Sequence, residues 1–144
     1  MSEKTVSIKL IEGGMVPQYK TKGAACCDCY ARLSAPVFLE PGKRALIPLG
    51  FAMAIPEGYE AVIRPRSGLM RKGIDQQMGT IDSDYRGEVS ACLVNNSGET
   101  YVVYDGDRIC QMKIQKAEQF EFAVCTELDK TERGEGGFGS TGIR

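Results

Sequence analysis

Residues 51–58 read FAMAIPEG, and this stretch decides the fold class. The apolar side chains of Phe51, Met53 and Ile55 lie two residues apart, which places them on one face of a β-strand. The Pro-Glu-Gly sequence that follows favours a tight turn. Short strands that end in such turns are the units from which β-sandwiches and β-barrels are built.

The same two-residue period recurs along most of the chain, and turn-forming sequences separate the alternating runs. The further runs are Val6, Ile8, Leu10; Val89, Ala91, Leu93; Val102, Tyr104; Cys110, Met112, Ile114; and Phe120, Phe122. Turns are expected at residues 40–43, 95–98 and 105–106. Helical spacing is scarce, and only residues 67–72 are expected to form a short helical turn. We therefore predict an all-β sandwich or barrel.

Composition limits the classes of protein to which the chain can belong. Its 144 residues are the usual size of one domain. The 18 basic and 19 acidic side chains nearly cancel, which gives no reason to expect a nucleic-acid-binding surface. No stretch approaches the roughly 20 apolar residues of a membrane span, and residues 1–4 lead into an alternating segment. We expect a soluble cytoplasmic protein, or a nuclear one in a eukaryote, that binds neither nucleic acid nor membrane.

The six cysteines and the absence of histidine restrict the chemistry. Cys26 and Cys29 form a C-x-x-C sequence with Cys27 between them, so a zinc or redox site is one alternative. A structural zinc site needs about four ligands, and the other cysteines are scattered, so we expect reduced thiols. Without histidine there is no Ser-His-Asp triad or Cys-His pair, and a general base must be Asp, Glu, Lys, Tyr or Cys.

Two segments with reactive or anion-binding side chains stand out between the expected strands. Residues 79–88 place carboxylates around an expected hairpin, where Asp82 follows an apolar residue and is suited to accept a proton from water. A polar turn is the alternative interpretation. Residues 65–69 offer Arg66, Ser67 and Gly68, the parts of an anion site, although Ser67 as the N-cap of a strand-to-helix connection is an alternative.

The segment at residues 133–142 differs in kind, because it has five glycines and one aromatic residue. Alone it should be mobile, since it has too few apolar side chains to offset the entropy of ordering. Its glycines suit a close approach of the backbone to phosphate, and Phe138 suits stacking on a base. A flexible solubilising terminus is the alternative. Gln111 is either a phosphate ligand or part of a polar strand face, and its spacing does not decide between them.

Five segments resemble, in order, the five motifs of the trimeric dUTPase family. They are residues 25–31, 65–69, 79–88, 106–111 and 133–142. The resemblance implies a distorted jelly-roll or barrel-like β subunit that assembles as a homotrimer. It also implies a core at residues 1–128 and a flexible tail at residues 129–144. In that family each site takes its third motif from one subunit, its fifth from another and the remainder from the third, so the tail would close over a neighbouring subunit's site.

The activity implied by this resemblance is Mg²⁺-dependent hydrolysis of dUTP to dUMP and pyrophosphate, by attack of water on the α-phosphorus. Such an enzyme limits the incorporation of uracil into DNA and supplies dUMP for thymidylate synthesis. By the resemblance, Asp82 would contact the 3′-hydroxyl and position or deprotonate the attacking water. Asp28 would hold Mg²⁺ through its water shell, and Tyr85 would pack on the deoxyribose and exclude a 2′-hydroxyl.

The remaining residues implied by the resemblance contact the base and the phosphate chain. Backbone groups near Gly79 and Ile81 would pair with the uracil edge, and Phe138 would stack on the base. The phosphates would be held by Arg66, Ser67, Gly68 and Gln111, with Arg133, Gly137, Gly139, Ser140 and Thr141 from the tail.

The chain departs from the family pattern at Cys26, Cys27 and Cys29, where relatives usually have Gly, an aromatic residue and Leu, and at Gln76, where several have an Asn that contacts the base. Two other functions are alternatives. A dCTP deaminase shares the fold, but its pattern after the Ile-Asp pair and its tail differ from those found here. A non-catalytic, nucleotide-gated interaction module is opposed by the presence of Asp28, Asp82 and the complete tail.

Overall fold

Antiparallel β-strands make up almost all of the regular structure in the computed structural model, which describes residues 4–144. The strands are β1 (Ser7–Leu10), β2 (Cys27–Tyr30), β3 (Val37–Leu39), β4 (Arg44–Pro48), β5 (Phe51–Ala54), β6 (Tyr59–Arg64), β7 (Ile74–Gln76), β8 (Gly79–Ile81), β9 (Ser90–Asn95), β10 (Tyr101–Val103) and β11 (Arg108–Lys116). One short helix, α1 (Ser67–Arg71), follows β6. The all-β prediction and the short helical turn after residue 66 are therefore confirmed. Within residues 4–144, no helix has the length and apolar character needed to cross a membrane.

The described strands form four antiparallel sheets, and every pairing joins strands that are not consecutive in the chain. The largest sheet has the order β2-β11-β6-β8, and a second has the order β4-β9-β7. Two-stranded sheets pair β1 with β5 and β3 with β10. Such long-range pairing brings segments that are far apart in sequence to one edge of a sheet, which is what a composite site requires.

The core lies between these sheets and is filled by the inward faces of the alternating strands. Phe51, Met53 and Ile55 are buried, as their spacing predicts. Ala91 and Leu93 of β9 and Cys110 and Met112 of β11 are buried in the same cluster. Each Å² of apolar surface removed from water stabilises the fold by about 25 cal/mol, and this burial holds the small sheets together.

Two strand expectations are wrong. Phe120 and Phe122 lie outside every described strand and are 73% and 96% exposed, because no strand within residues 4–144 pairs with this segment. In β10 the buried side chain is Val103, whereas Tyr104 lies beyond the strand and is exposed. A period of two identifies alternation, but the partner strand decides which residues face the core.

The expected hairpin at residues 79–88 is also absent. β8 pairs with β6 in the four-stranded sheet, whereas β9 pairs with β4 and β7 in the three-stranded sheet. The segment between β8 and β9 is therefore a connection from one sheet to another. Its side chains lie at the boundary between two sheets.

Candidate active site

Three strands of the largest sheet bring polar side chains into one row. In the β2–β11 pairing Gln111 lies opposite Asp28, and in the β11–β6 pairing the same Gln111 lies opposite Arg64. Residues directly opposite each other in antiparallel strands project from the same face of the sheet. Asp28, Gln111 and Arg64 therefore share a face, although they come from three separate parts of the sequence.

Two arginines surround the carboxylate in this row. Nε of Arg66 lies 3.8 Å from Oδ1 of Asp28, and Nη1 of Arg108 lies 3.4 Å from Oδ2. Arg66 also donates to the backbone carbonyl of Arg108 at 2.9 Å, and Nε2 of Gln111 donates to the carbonyl of Pro65 at 2.9 Å. The first, second and fourth of the five sequence segments thus meet within one chain. We call these five residues the arginine cluster: Asp28, Arg64, Arg66, Arg108 and Gln111. The cluster has three guanidinium groups and one carboxylate, so its net positive charge favours an anionic ligand.

Ser67 and Gly68 border this cluster at the start of α1. Both are exposed, and Gly68 has open space where a side chain would project. The helix is capped at Arg66, and no side chain of the described residues forms a capping hydrogen bond. The alternative interpretation of Ser67 as the N-cap is therefore wrong. Its hydroxyl is left free of a capping role and accessible to a ligand.

Arg64 was not expected from the sequence. Its Nε atom is buried and has no hydrogen-bond partner within residues 4–144. A buried donor without a partner costs about 1–3 kcal/mol unless a ligand or water satisfies it. Arg64 is identified only by its position opposite Gln111 in the paired strands. Sequence spacing alone does not give that register.

Asp82 lies in a different place. It follows Ile81, the last residue of β8, and is exposed in a turn in which the Tyr85 backbone N–H donates to the Asp82 carbonyl at 3.1 Å. The guanidinium of Arg86 donates to the Ser83 carbonyl at 2.6 Å and tightens this turn. An open groove of about 1160 Å³ runs beside Asp82 and is lined also by Glu60, Thr80 and Lys116, among other residues.

One chain does not bring Asp82 to the arginine cluster. Ile81 lies opposite Ala61 in β6, so Asp82 lies beside the Glu60 end of that strand. Arg64 lies at the other end, four residues further along, or about 13 Å at 3.3 Å per residue. The predicted catalytic carboxylate and the predicted phosphate ligands are therefore at opposite ends of β6.

The glycine-rich segment joins neither group. Beyond β11, residues 117–144 contain no described helix or strand, and residues 133–142 form successive turns closed by hydrogen bonds such as Gly136 N–H to the Arg133 carbonyl. Nε of Arg133 donates within the same segment, to the Gly136 carbonyl at 2.8 Å. The Phe138 side chain is fully exposed, and its φ of 49° is unusual for a bulky residue. Gly137, Gly139, Ser140 and Thr141 lie beside it, and all except the half-buried Gly137 are exposed.

Gln76 is placed at the end of β7, three residues before Gly79. Its side chain is only 7% exposed, and Nε2 donates to the neighbouring Gln77 carbonyl. Oε1 is buried and has no hydrogen-bond partner within the described chain. It is an unused acceptor close to the segment predicted to contact a base.

Tyr85 and Glu88 fix the far end of the Asp82 turn. The Tyr85 ring is about half exposed, and its hydroxyl donates to the Glu88 carbonyl at 3.1 Å. Hydrogen bonding to Arg32 lowers the pKa of the Glu88 carboxyl, and the Gly50 backbone N–H contributes in the same direction. Glu88 is therefore a structural anion at neutral pH.

Two of the three cysteines in the C-x-x-C segment belong to the core, and Cys26 is half-buried. Cys27 and Cys29 are buried, and each of the six cysteines is a free thiol. Hydrogen bonding to Cys29, followed by burial, raises the pKa of the Cys27 thiol well above its usual range, and hydrogen bonding to Cys110 raises that of Cys29. Protonated thiols are poor nucleophiles and poor metal ligands. These cysteines act as small apolar side chains.

The residues present fit a magnesium ion in one limited way. Mg²⁺ prefers oxygen ligands, keeps several waters, and is commonly held by one or two carboxylates together with substrate phosphates. Within residues 4–144 no cluster of three or more Cys, Asp or Glu side chains forms a cage for a metal ion. Asp28 is a single carboxylate beside the arginine cluster, which suits an ion held mainly by a bound phosphate chain.

The fold and the site together define a β-sheet protein with an arginine-rich strand surface suited to an anionic ligand and an exposed acidic turn at the edge of a groove. The dUTPase family model matches residues 13–142. The chain therefore belongs to the dUTPase family.

Relatives of known name agree with this assignment. The deoxyuridine 5′-triphosphate nucleotidohydrolase of Fusobacterium nucleatum is 47% identical over 144 residues, covering 96% of this chain and 99% of the relative. That of Finegoldia magna is 51% identical over 130 residues, covering 88% of this chain and 91% of the relative.

Solved structures also match the fold. A mutant dUTPase of Staphylococcus bacteriophage 80alpha, determined with dUpNHpp, has a TM-score of 0.90 at 26% identity, covering 97% of this chain and 99% of that one. A mutant dUTPase of phage phi11 of S. aureus, described with a structural Mg(II) ion, has a TM-score of 0.78 at 26% identity, covering 85% and 97% of the two chains.

Proposed function

We propose that this protein hydrolyses dUTP to dUMP and pyrophosphate, with water attacking the α-phosphorus. The observation that carries the proposal is the arginine cluster, in which Arg66 forms an ion pair with Asp28 and Gln111 lies opposite Asp28 in the paired strands. The reaction removes dUTP before uracil enters DNA and supplies dUMP for thymidylate synthesis. It takes place in the cytoplasm, where deoxynucleotides are made.

The phosphate chain binds on the arginine cluster. Arg66 offers a planar set of donors suited to two phosphate oxygens, Gln111 offers an amide N–H, and Ser67 and Gly68 offer a hydroxyl and an unobstructed backbone. Arg64 adds the buried donor that has no partner in the described chain. Guanidinium groups fixed before the substrate arrives stabilise negative charge that builds up on the phosphates during attack.

Asp82 positions the attacking water and accepts its proton. An exposed carboxylate at the edge of an open groove is accessible to both water and substrate. Tyr85, three residues later in the same turn, packs on the deoxyribose and leaves no room for a 2′-hydroxyl. Correct alignment of the water and the phosphorus atom lowers the activation barrier. The turn that holds Asp82 in place therefore contributes to catalysis together with the charge of the carboxylate.

The uracil ring is read by the segment that joins β7 to β8. Backbone groups at Gly79 and Ile81 pair with the base edge, and the free Oε1 of Gln76 accepts from the N3–H of uracil. Cytosine has an acceptor at N3, so it would leave this acceptor unpaired. A site of buried polar groups rejects a wrong edge strongly for this reason.

The active site is completed by other copies of the chain in a homotrimer. Asp82 and the arginine cluster lie at opposite ends of β6, so one chain alone does not place both on the same substrate. Apolar side chains on the segment after β11 also need a surface to pack on, because large exposed apolar patches mark interfaces. They are Phe120, Phe122, Val124 and Leu128.

Residues 129–144 form the tail that closes over a neighbouring subunit's site, and residues 1–128 form the core. Arg133, Ser140 and Thr141 then add donors to the phosphates, and Gly137 and Gly139 allow the backbone to approach them closely. Phe138, whose side chain is fully exposed, stacks on uracil. The tail has no packed core to offset the conformational entropy lost when it becomes ordered. It therefore becomes ordered over the site when bound nucleotide supplies the contacts.

Asp28 is the residue that would hold Mg²⁺, through the water shell of the ion. When bound, the ion neutralises charge on the triphosphate and helps to align it. The ion pairs from Arg66 and Arg108 keep the Asp28 carboxylate on the phosphate side of the cluster.

Pyrophosphate release from dUTP, dCTP, dTTP and UTP, with and without Mg²⁺, tests the proposal. Turnover of dUTP alone, dependent on Mg²⁺, is expected. Uncut dUTP, or equal consumption of all four nucleotides, would contradict it, and release of ammonia from dCTP would indicate a deaminase instead.

The base assignment has its own test. The Asp82→Asn variant should bind dUTP with little change but lose turnover by roughly 10²-fold or more, as expected for a general base. Normal hydrolysis by this variant would remove Asp82 from the catalytic role.

A further inference from the structure

The ring of Tyr85 is supported from behind by its own loop. A methyl group built on Gly87 would lie 2.6 Å from Cζ and 3.0 Å from Cε1 of Tyr85, and closer still to the hydroxyl oxygen. These distances mean that the ring lies against the Gly87 backbone, where only a hydrogen atom fits. The hydroxyl is fixed as well, because it donates to the Glu88 carbonyl at 3.1 Å.

Glu88 is in turn clamped to two other segments. Nε and Nη2 of Arg32 each donate to one carboxylate oxygen at 2.9 Å, which is a bidentate pair. The backbone N–H of Gly50 donates to the same carboxylate at 2.9 Å. The next residue, Val89, is buried, and its N–H donates to the Phe51 carbonyl at 2.9 Å.

The Arg32 end of this clamp is also fixed. Its backbone N–H donates to the Pro48 carbonyl at 2.8 Å. Its side chain packs on Gly50, where an added methyl group would lie 3.2 Å from both Cβ and Cδ of the arginine. Gly50 has a φ of 78° and no side chain, so the arginine can pass close to its backbone.

We propose that Gly87 and the Arg32–Glu88 pair are positioning residues that set the selectivity of this enzyme for deoxyribose over ribose. This rests on the proposed function, in which Tyr85 packs on the sugar. A ring excludes one added hydroxyl only if it cannot retreat by about 1 Å, because displacements of that size change rates strongly. Gly87 blocks retreat toward the loop, and the clamped Glu88 holds the hydroxyl that fixes the tilt of the ring.

Gly87→Ala is the most direct test. Gly87 does not have a positive φ, so the backbone accepts alanine, but the new methyl group takes space that the Tyr85 ring occupies. The ring must tilt out of its place and give up its hydrogen bond to the Glu88 carbonyl, so it no longer closes the space beside the sugar. The ratio of kcat/KM for dUTP to that for UTP should fall by about tenfold or more, since loss of shape at one small group is worth roughly 10- to 200-fold.

Glu88→Gln and Arg32→Lys provide a second route to the same ratio. Each weakens the clamp while keeping a hydrogen-bonding side chain, so each should lower the dUTP-to-UTP ratio in the same direction as Gly87→Ala. A purely structural role would lower kcat/KM for both nucleotides equally and leave the ratio unchanged. Gly98→Ala is the matched control, because a methyl group there meets open space.

The outcomes separate this inference from the proposed function. Wild-type protein that leaves dUTP uncut would refute the function itself. Wild-type protein that selects dUTP, together with folded variants that keep the same ratio, would overturn the positioning role alone. If Gly87→Ala does not fold, the two clamp variants decide the question by the same ratio.

Discussion

Asp28 shows how little a single residue reveals until its neighbours are known. In the sequence it is one acidic residue between two cysteines, and the family resemblance alone suggests a role for it. In the folded chain it lies 3.8 Å from Arg66 and 3.4 Å from Arg108, on the same sheet face as Gln111. An acidic group among arginines supports a phosphate site by fixing the guanidinium groups before the ligand arrives.

Replacement of Arg64 tests its place in the phosphate site. Arg64→Met keeps much of the apolar stem but removes the donors, so KM for dUTP should rise about tenfold, the value of one hydrogen bond to a charged group. kcat should change less, since the role proposed for Arg64 is to hold the phosphate chain and not to position the attacking water. Steady-state kinetics with Arg44→Met, an exposed arginine on β4, gives the control. An unchanged KM would remove Arg64 from the phosphate site.

Individual site residues were predictable from the sequence only where a motif singled them out. Arg66 and Gln111 were identified in this way, and the structure places both in the arginine cluster. Arg64 and the Arg32–Glu88 pair were not identified, because an arginine in a strand or a glutamate in a loop is common on any surface. Their importance depends on strand register and on long-range contacts, which sequence spacing does not contain.

The connection between β8 and β9 contains Asp82 and Tyr85, the residues proposed to act on the water and the sugar. It was expected to be a hairpin, but β8 and β9 belong to different sheets. A crossing between sheets has no ladder of hydrogen bonds to hold it. The turn is stabilised instead by Tyr85, Arg86 and Glu88, through side-chain hydrogen bonds and the ion pair with Arg32.

The ion pair gives a pH prediction for this element. The pKa of Glu88 is lower in the folded chain than its usual value of about 4.3. A lowered carboxyl pKa stabilises the fold at pH values above that usual value, and the contribution is lost as pH falls through the folded pKa. Urea unfolding should therefore show wild type more stable than Glu88→Gln at pH 7, with the difference shrinking below about pH 4.3.

The comparison with Glu88→Gln isolates one carboxyl from the general effect of acid. Both proteins should lose stability at low pH for other reasons, and only their difference reports on Glu88. A difference that stays constant from pH 7 to pH 3 would contradict the role assigned to this ion pair.

Alternation identified the fold class because most strands bury one face, but it did not identify their partners. The runs around Phe51, Leu93 and Met112 are strands, as predicted. The run at Phe120 and Phe122 has the same alternation but no partner strand in the described chain. An alternating pattern indicates a segment that can pair, and whether it does so within its own chain depends on the rest of the molecule.

At the scale of the whole molecule, the predicted site is divided into three parts. The arginine cluster, the Asp82 turn and the glycine-rich tail are separate in one chain, and each is incomplete alone. The proposed trimer, in which the three parts come from different subunits, would account for all three positions. The proposed trimer would also provide a surface for the exposed apolar side chains after β11.

Removal of the tail gives a prediction about the assembled protein. A chain truncated before Arg133 should keep its fold and its oligomeric state, because the described strands end at Lys116. It should lose nearly all turnover, since the tail donors to the phosphates and the Phe138 stack are gone. Light scattering and pyrophosphate release measure the two properties separately. Full activity of the truncated protein would contradict the role of the tail.

Complementation between two inactive variants tests directly whether the active site is shared between subunits. Asp82→Asn chains keep the tail, and chains truncated before Arg133 keep Asp82, so neither homotrimer has a complete site. If each site takes these two parts from different subunits, trimers reassembled from an equal mixture should recover about one quarter of wild-type dUTP hydrolysis, since both intact parts meet in that fraction of sites. A mixture that is confirmed to contain mixed trimers and still leaves dUTP uncut would contradict the account.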